Sequence, residues 1–475
     1  MNRKRVIAVL MLCFLLTLWS CQAQSSGESE PEAEVSSQTT EETSTPSSAS
    51  PQPSAPEATA LPQREQNWIE DLEFLRTEYK KLHIKPFYFV EEEEFDFKID
   101  QLKRHVAEIS DENMFFEIQA VLSDFNDPHL RLNDAQLYDE VMPIDTVCCG
   151  GKIYLGPYLE SYEELAPYYL REIVAIDGID IGYIQEKAES ILYPSNPWFN
   201  KERLPTLLYT PRFLDWVGCG LDEGEKGENS SYTYHILNDA NQVEKVEISP
   251  LAYSQTEEKE LRIPEGYQYP DSQRYRAQNE AEYIEDERGG YVILHFSDMD
   301  SGEREFYDSF FDNGKELLEA HPGCKLIVDL RKNGGGLSVV QSYTRDEITS
   351  WRELGISQTY ILTGGGMASS SIELSTVFKD ALDGITVGEP TGQFHASLGN
   401  TGNRNPIELP HSKLTIRIPD MWYNGIHPKN DFVYDEHNKL YLWENTVMPD
   451  VYVALDVEDM RQGKDSVVEW VLDHG

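Results

Sequence analysis

The chain is short of positive charge and of cysteine. Its 475 residues hold 40 Lys and Arg against 84 Asp and Glu, a formal net charge of −44. That surface has the wrong sign for nucleic-acid phosphates and for adsorption to anionic lipid. It suits an exported, soluble exterior. The 6 cysteines include no C-x-x-C pair, so neither a zinc site nor a redox motif is expected. Cys148, Cys149, Cys219 and Cys324 are expected to be free thiols rather than a disulfide framework. The common catalytic signatures are missing as well. There is no G-x-x-x-x-G-K-[ST] loop, no G-x-G-x-x-G behind a strand, no H-E-x-x-H and no G-x-S-x-G. No internal repeat is visible, and no metal or cofactor is implied.

The first residues present a different pattern. Arg3-Lys4-Arg5 precede the apolar run VIAVLMLCFLLTLW, which reads as a secretory signal over residues 1–20. Leu18-Trp19-Ser20-Cys21 resembles a bacterial lipobox, with Trp19 in place of the usual small or aliphatic residue. The resemblance makes Cys21 the expected lipid attachment site; an ordinary signal and an uncleaved anchor are the alternatives. Residues 21–63 contain no Lys, Arg or aromatic residue, so they bury too little apolar surface to offset their ordering entropy. Residues 21–64 are expected to be an acidic tether with a reach of about 35 Å. The implied location is extracytoplasmic, on the bacterial cell membrane, with the lipid as sole membrane contact.

Ordered sequence divides into three. Residues 65–135 read as a helical N-terminal domain: Trp68, Leu72, Leu75, Tyr79 and Leu82 recur at helical spacing, and Asp111 is placed to cap a third helix. Residues 136–285 form a β-rich middle region, with a hairpin across Asn238-Asp239-Ala240-Asn241 and an exposed helical insert near PWFNKERLPTLL. Residues 286–475 alternate strands and helices, as an α/β core does. The fold class expected is therefore α/β and α+β, in several domains.

Two strand-end glycine turns, 334–336 and 364–366, stand out in that core, and Ser369-Ser370-Ser371 opens a helix just after the second. Amides at a helix N-terminus are unpaired donors, and their dipole favours negative charge growing on a substrate oxygen. The glycines would then leave room for a substrate carbonyl. A serine cluster capping a helix beside a tight turn is the structural alternative.

The runs KLIVDLRKNGGG, YILTGGGMASSSIELSTVFKDAL, ITVGEPTG and ENTVMPDVYV resemble, in order and approximate spacing, the C-terminal processing (tail-specific) serine peptidases and the related core of the tricorn protease. The resemblance covers about residues 286–460 and implies a ClpP/crotonase-like peptidase core. By position it makes Ser370 the nucleophile, three residues before Glu373, with Ser369 the near alternative. It makes the amides of Gly335 or Gly336, with that of Ser371, the oxyanion site. The lysine that one branch of the family carries after GEPT is absent from GEPTGQFHAS. Asp127-Pro128-His129 resembles the histidine motif of the tricorn-like branch, and Glu444 in WENTVMPD resembles its glutamate. The resemblance makes His129 the general base, a task that suits histidine because a free imidazole titrates near neutrality.

LREIVAIDGIDIGYI resembles the end of a PDZ-like module. Asp329 and Arg331 are expected to brace the glycine turn, and His295 to be a core-strand histidine. The implied substrate is a peptide or unfolded protein. Two other classes stay open from sequence: an inactive peptide-binding lipoprotein of the same fold, and a solute-binding lipoprotein.

Overall fold

A computed structural model describes residues 61–193, 196–220, 231–256, 261–267, 278–393, 396–400, 406–424 and 447–474. The expected signal, Cys21, the tether up to residue 60 and Glu444 lie outside the described residues.

Among the described residues three helices come first: α1 (Gln63–Leu82), α2 (Glu92–His105) and α3 (Asp111–Ser123). Trp68, Leu72, Leu75 and Tyr79 form the buried stripe of α1, as their spacing predicts. The cap of α3 corrects the sequence reading by one residue. Ser110 is the N-cap, its hydroxyl accepting the Asn113 N–H at 3.2 Å. Asp111 instead takes the indole N–H of Trp68 at 2.7 Å and pairs with Arg64. A short strand follows, β1 (Arg131–Leu132), antiparallel to Thr415–Arg417.

The middle region is a seven-stranded antiparallel sheet. Its strands are β2 (Ile144–Cys149), β3 (Lys152–Leu159), β4 (Glu172–Ile176), β5 (Ile179–Asp180), β6 (Tyr232–Leu237), β7 (Val243–Ile248) and β8 (Leu261–Arg262), in the spatial order β8-β3-β4-β6-β7 with β2 on β3 and β5 on β4. The β6–β7 hairpin turns where expected, with Asn241 at φ +55°. Between β5 and β6 lie α4 (Ile181–Ile191), α5 (Pro197–Leu208) and α6 (Pro211–Val217). Helix α5 is the expected insert, and it is not an exposed one. Phe199, Asn200, Leu204 and Leu208 are buried, because neighbouring elements close over both of its sides. The N-terminal helices and the middle sheet share one apolar core, running from Trp68 through Phe116 and Ile173 to Ile248.

The C-terminal sheet has six strands: β9 (Glu280–Ile284), β10 (Tyr291–His295), β11 (Lys325–Asp329), β12 (Thr359–Thr363), β13 (Ile385–Gly388) and β14 (Val451–Tyr452), side by side in that order. β9 is antiparallel to β10, and every later pair is parallel. Strand residues alternate between two cores, as a period of two requires. Val292, Leu294, Leu326, Val328 and Ile361 face α7 (Glu305–Ala320), α8 (Val339–Ile348) and α9 (Ser370–Leu382). Ile293, Ile327, Tyr360, Leu362 and Val387 face α10 (Ser466–His474). The parallel strands therefore point their carboxyl ends, and the two glycine turns, to one edge of the sheet, where ligands of such sheets bind.

Candidate active site

The first turn leaves β11 at Asp329. Arg331 folds back on it through Nε at 2.9 Å and a terminal nitrogen at 2.8 Å, and reaches Asp465 at 2.9 Å. Burial alone would raise the Asp329 carboxyl. The charge and hydrogen bonds of Arg331, with those of His295, reverse this and hold it well below the usual carboxylate range. The brace is thus the one expected from sequence. His295 is buried in its strand, 3.7 Å from Asp329.

The glycines serve close approach of backbone. A Cβ on Gly335, whose φ is +94°, would stand 2.6 Å from the Ala368 carbonyl and 2.7 Å from Cβ of Ser369. One on Gly336, at φ +146°, would stand 2.4 Å from the Met299 carbonyl. Room is made for the serine turn and for the segment after β10. The Gly335 N–H is engaged by Asn333 Oδ1 at 2.9 Å, whereas the Gly336 N–H has no acceptor among the described residues.

The three serines differ. The Ser370 hydroxyl is buried and donates to the Gly336 carbonyl at 2.7 Å. Ser371 is fully buried, its hydroxyl donating to the Ala368 carbonyl at 2.8 Å and its N–H lying 3.3 Å from that oxygen. Ser369 alone is half-exposed, at φ +54° and ψ −132°, and as N-cap of α9 its side chain caps nothing. Such a backbone costs a non-glycine residue about 1–3 kcal/mol and persists where its surroundings impose it. Here the Ser369 N–H is held by Gln393 Oε1 at 2.9 Å. The amide that follows, Ser370 N–H, has no acceptor among the described residues.

His129 lies in the segment joining α3 to β1, its side chain 18 % exposed. Asp127 is wholly buried; its Oδ1 accepts the His129 N–H at 2.9 Å and stands 3.4 Å from His129 Nδ1. Its Oδ2 stands 3.6 Å from Nε2 of His83, the residue that ends α1. His83 carries no motif, and no sequence signal links it to His129. Among the described residues His129 makes no hydrogen bond to Ser369 or Ser370.

What connects the histidine segment to the serine turn is the stretch leading into α5. Tyr193 lies within electrostatic reach of Asp127, and burial is the main force keeping its hydroxyl protonated. Asn196 donates to the Thr391 carbonyl at 3.1 Å, and Thr391 donates to the Gln393 carbonyl at 2.8 Å. Gln393 in turn holds Ser369. Lys201 on α5 pairs with Glu389 at 2.7 Å, and Glu202 pairs with Lys332 of the first turn. The Trp198 carbonyl sits where a Cβ on Gly365 would be, 2.2 Å away. Among the described residues no three His, Cys, Asp or Glu side chains converge as a metal site would.

No protein-family model matches the chain, and no curated protein matches it by sequence. Solved structures do. Mature CPAF aligns at a TM-score of 0.56 and 11 % identity, over 86 % of this chain and 96 % of that one. Mature CPAF complexed with lactacystin aligns at 0.55 and 11 %, over 86 % and 97 %. A photosystem II C-terminal processing protease is a looser match, at 0.36 and 13 % over 86 % and 99 %. The chain has the fold of mature CPAF.

Proposed function

We propose that the protein is a serine-type peptidase that cleaves peptide bonds through an acyl-enzyme. The observation carrying this reading is the turn at Ser369. It is a half-buried serine at positive φ, its side chain spent on no cap, opening a helix beside two amides that have no acceptor among the described residues. Sequence position alone favoured Ser370, but that hydroxyl is buried and committed to Gly336. Ser369 is therefore the better supported nucleophile, and the amides of Ser370 and Gly336 the better supported oxyanion donors.

The chemistry then runs in two halves. Ser369 Oγ adds to the peptide carbonyl while His129 takes its proton. The oxyanion draws hydrogen bonds from the Ser370 and Gly336 amides, which are fixed before charge develops. The tetrahedral adduct expels the amine, protonated by His129, and leaves an ester on Ser369. Water, deprotonated by His129, adds to that ester, and serine leaves with the proton returned. Glu444 is retained as a partner of this machinery on its motif alone. The working location is extracytoplasmic, tethered through lipid on Cys21. The PDZ-like resemblance falls on β4, β5 and α4, and we assign that unit to holding the substrate chain.

The absence of a hydrogen bond from His129 to either serine also favours a second reading, an inactive peptide binder, although such bonds are often long before substrate arrives. The test is intact-mass analysis after treatment with a fluorophosphonate probe. A single adduct is expected, lost in Ser369→Ala, kept in Ser370→Ala, and formed ~10²-fold or more slowly in His129→Ala. Loss in Ser370→Ala alone would return the nucleophile to Ser370. No adduct on the wild type would favour the peptide binder.

A further inference from the structure

Asp127 is the most completely buried carboxylate near the candidate base, and both of its oxygens are turned toward imidazoles. Oδ1 faces His129 Nδ1 at 3.4 Å and Oδ2 faces His83 Nε2 at 3.6 Å. The far nitrogen of His83 is already committed: its Nδ1 accepts the backbone N–H of Lys85 at 3.0 Å. A neutral His83 must then carry its proton on Nε2, aimed at Asp127. The same carboxylate selects the Nδ1–H form of His129, which leaves Nε2 of His129 as the atom able to accept a proton.

We propose that Asp127 is the positioning carboxylate of His129, and that His83 completes the unit from the other side, as a His–Asp–His relay. The proposal rests on the peptidase reading above and adds to it two residues outside the serine and oxyanion set. The surroundings support it. His83 is fixed at the end of α1 by its own N–H to the Tyr79 carbonyl at 3.0 Å, and its ring packs on Tyr79 with centroids 5.1 Å apart. Tyr79 on α1 and Tyr193 in the stretch before α5 lie within electrostatic reach of Asp127. The Tyr79 hydroxyl is spent on the Pro86 carbonyl at 2.5 Å, so it does not replace either histidine as a donor. Arg131, Arg203 and Asp134 act on Tyr193, the next layer out. Burial works against ionisation of Asp127, but its interactions with the nearby His129 and His83 imidazoles prevail and keep its carboxyl below the ordinary range. A carboxylate held charged in that way orients an imidazole and stabilises the imidazolium formed as serine attacks.

The experiment measures the rate of fluorophosphonate labelling against pH for the full mature chain and for Asp127→Asn, His83→Leu and His83→Gln. Labelling of Asp127→Asn is expected to slow by ~10²-fold or more, with the wrong imidazole tautomer favoured. Its acid limb should move to lower pH, because an imidazole without a neighbouring negative charge loses its proton more easily. His83→Leu should slow labelling, and His83→Gln should restore most of the rate, since the amide offers an N–H to the same oxygen. A purely structural role would lower the melting temperature of these variants and leave the pH limb in place; that result overturns the proposal while the peptidase reading stands. If the wild type is not labelled at all, the peptidase reading fails instead. Histidine-selective ¹⁵N NMR then decides the relay by itself: an Nδ1 proton on His129 that disappears in Asp127→Asn supports it, and its absence in the wild type overturns it.

Discussion

At the scale of single residues, the side chains that matter are those placed where their chemistry is costly. Asp145 on β2 is a further case. It is buried, with the Thr146 N–H at 2.8 Å on Oδ1. Burial, aided by the charge of Glu202 and opposed by the Thr146 N–H and Lys332, pushes its carboxyl from 3.8 up to about 7. The folded chain thus holds this proton more tightly than the unfolded one. The associated stability is fully present below the ordinary carboxylate range and is lost as pH rises through about 7. At most the loss amounts to about 4 kcal/mol, reckoned at about 1.4 kcal/mol per pH unit. Asp145→Asn stays neutral and keeps the hydrogen bond. Its melting temperature should pull ahead of the wild type as pH climbs from about 4 to about 8; parallel curves would refute the assignment. The choice between Ser369 and Ser370 belongs to this scale too. Three serines in a row are indistinguishable as letters; backbone torsion and burial separate them, and neither is written in residue type. His83 was invisible for another reason: its only signal is proximity in space.

Among elements, legibility followed periodicity. The strands β10 to β13 and the helices between them are strongly patterned and alternate as the sequence of residues 286–475 predicts. The helices α1 to α3 do likewise, with the cap of α3 off by one because Ser110 and Asp111 are both good caps and Trp68 claims the second. Helix α5 reads as exposed because PWFNKERLPTLL has a weak apolar face; Leu204 and Leu208 are buried in the core of the N-terminal helices and middle sheet, while Trp198, Lys201 and Glu202 meet Gly365, Glu389 and Lys332. Those contacts make α5 a strut against the serine turn. Gly365→Ala tests the strut, because the added Cβ would stand 2.2 Å from the Trp198 carbonyl, which is backbone and yields only if α5 moves. Probe labelling is expected to fall at least ~10-fold through misplacement of the reacting groups, with far-UV circular dichroism unchanged. Wild-type labelling of that variant would rule the strut out.

For the whole molecule, the feature with most reach is the division of the apolar interior. His129 is flanked by Phe125, Leu130 and Leu132 of the core shared by the N-terminal helices and the middle sheet. The serine turn is anchored through Met367 and Leu374 in the core beneath α7, α8 and α9. A net charge of −44 presses such bodies apart, more so at low salt. Of the 8 tryptophans, Trp68 and Trp351 are buried in different cores, and variants keeping only one of them would report each core separately. In rising urea, labelling should be lost before the emission of either tryptophan shifts; simultaneous loss of all three signals would show one cooperative body. If labelling goes first, the weak link is the junction between the histidine segment and the serine turn, and catalysis is the first casualty of a parting that leaves both cores folded.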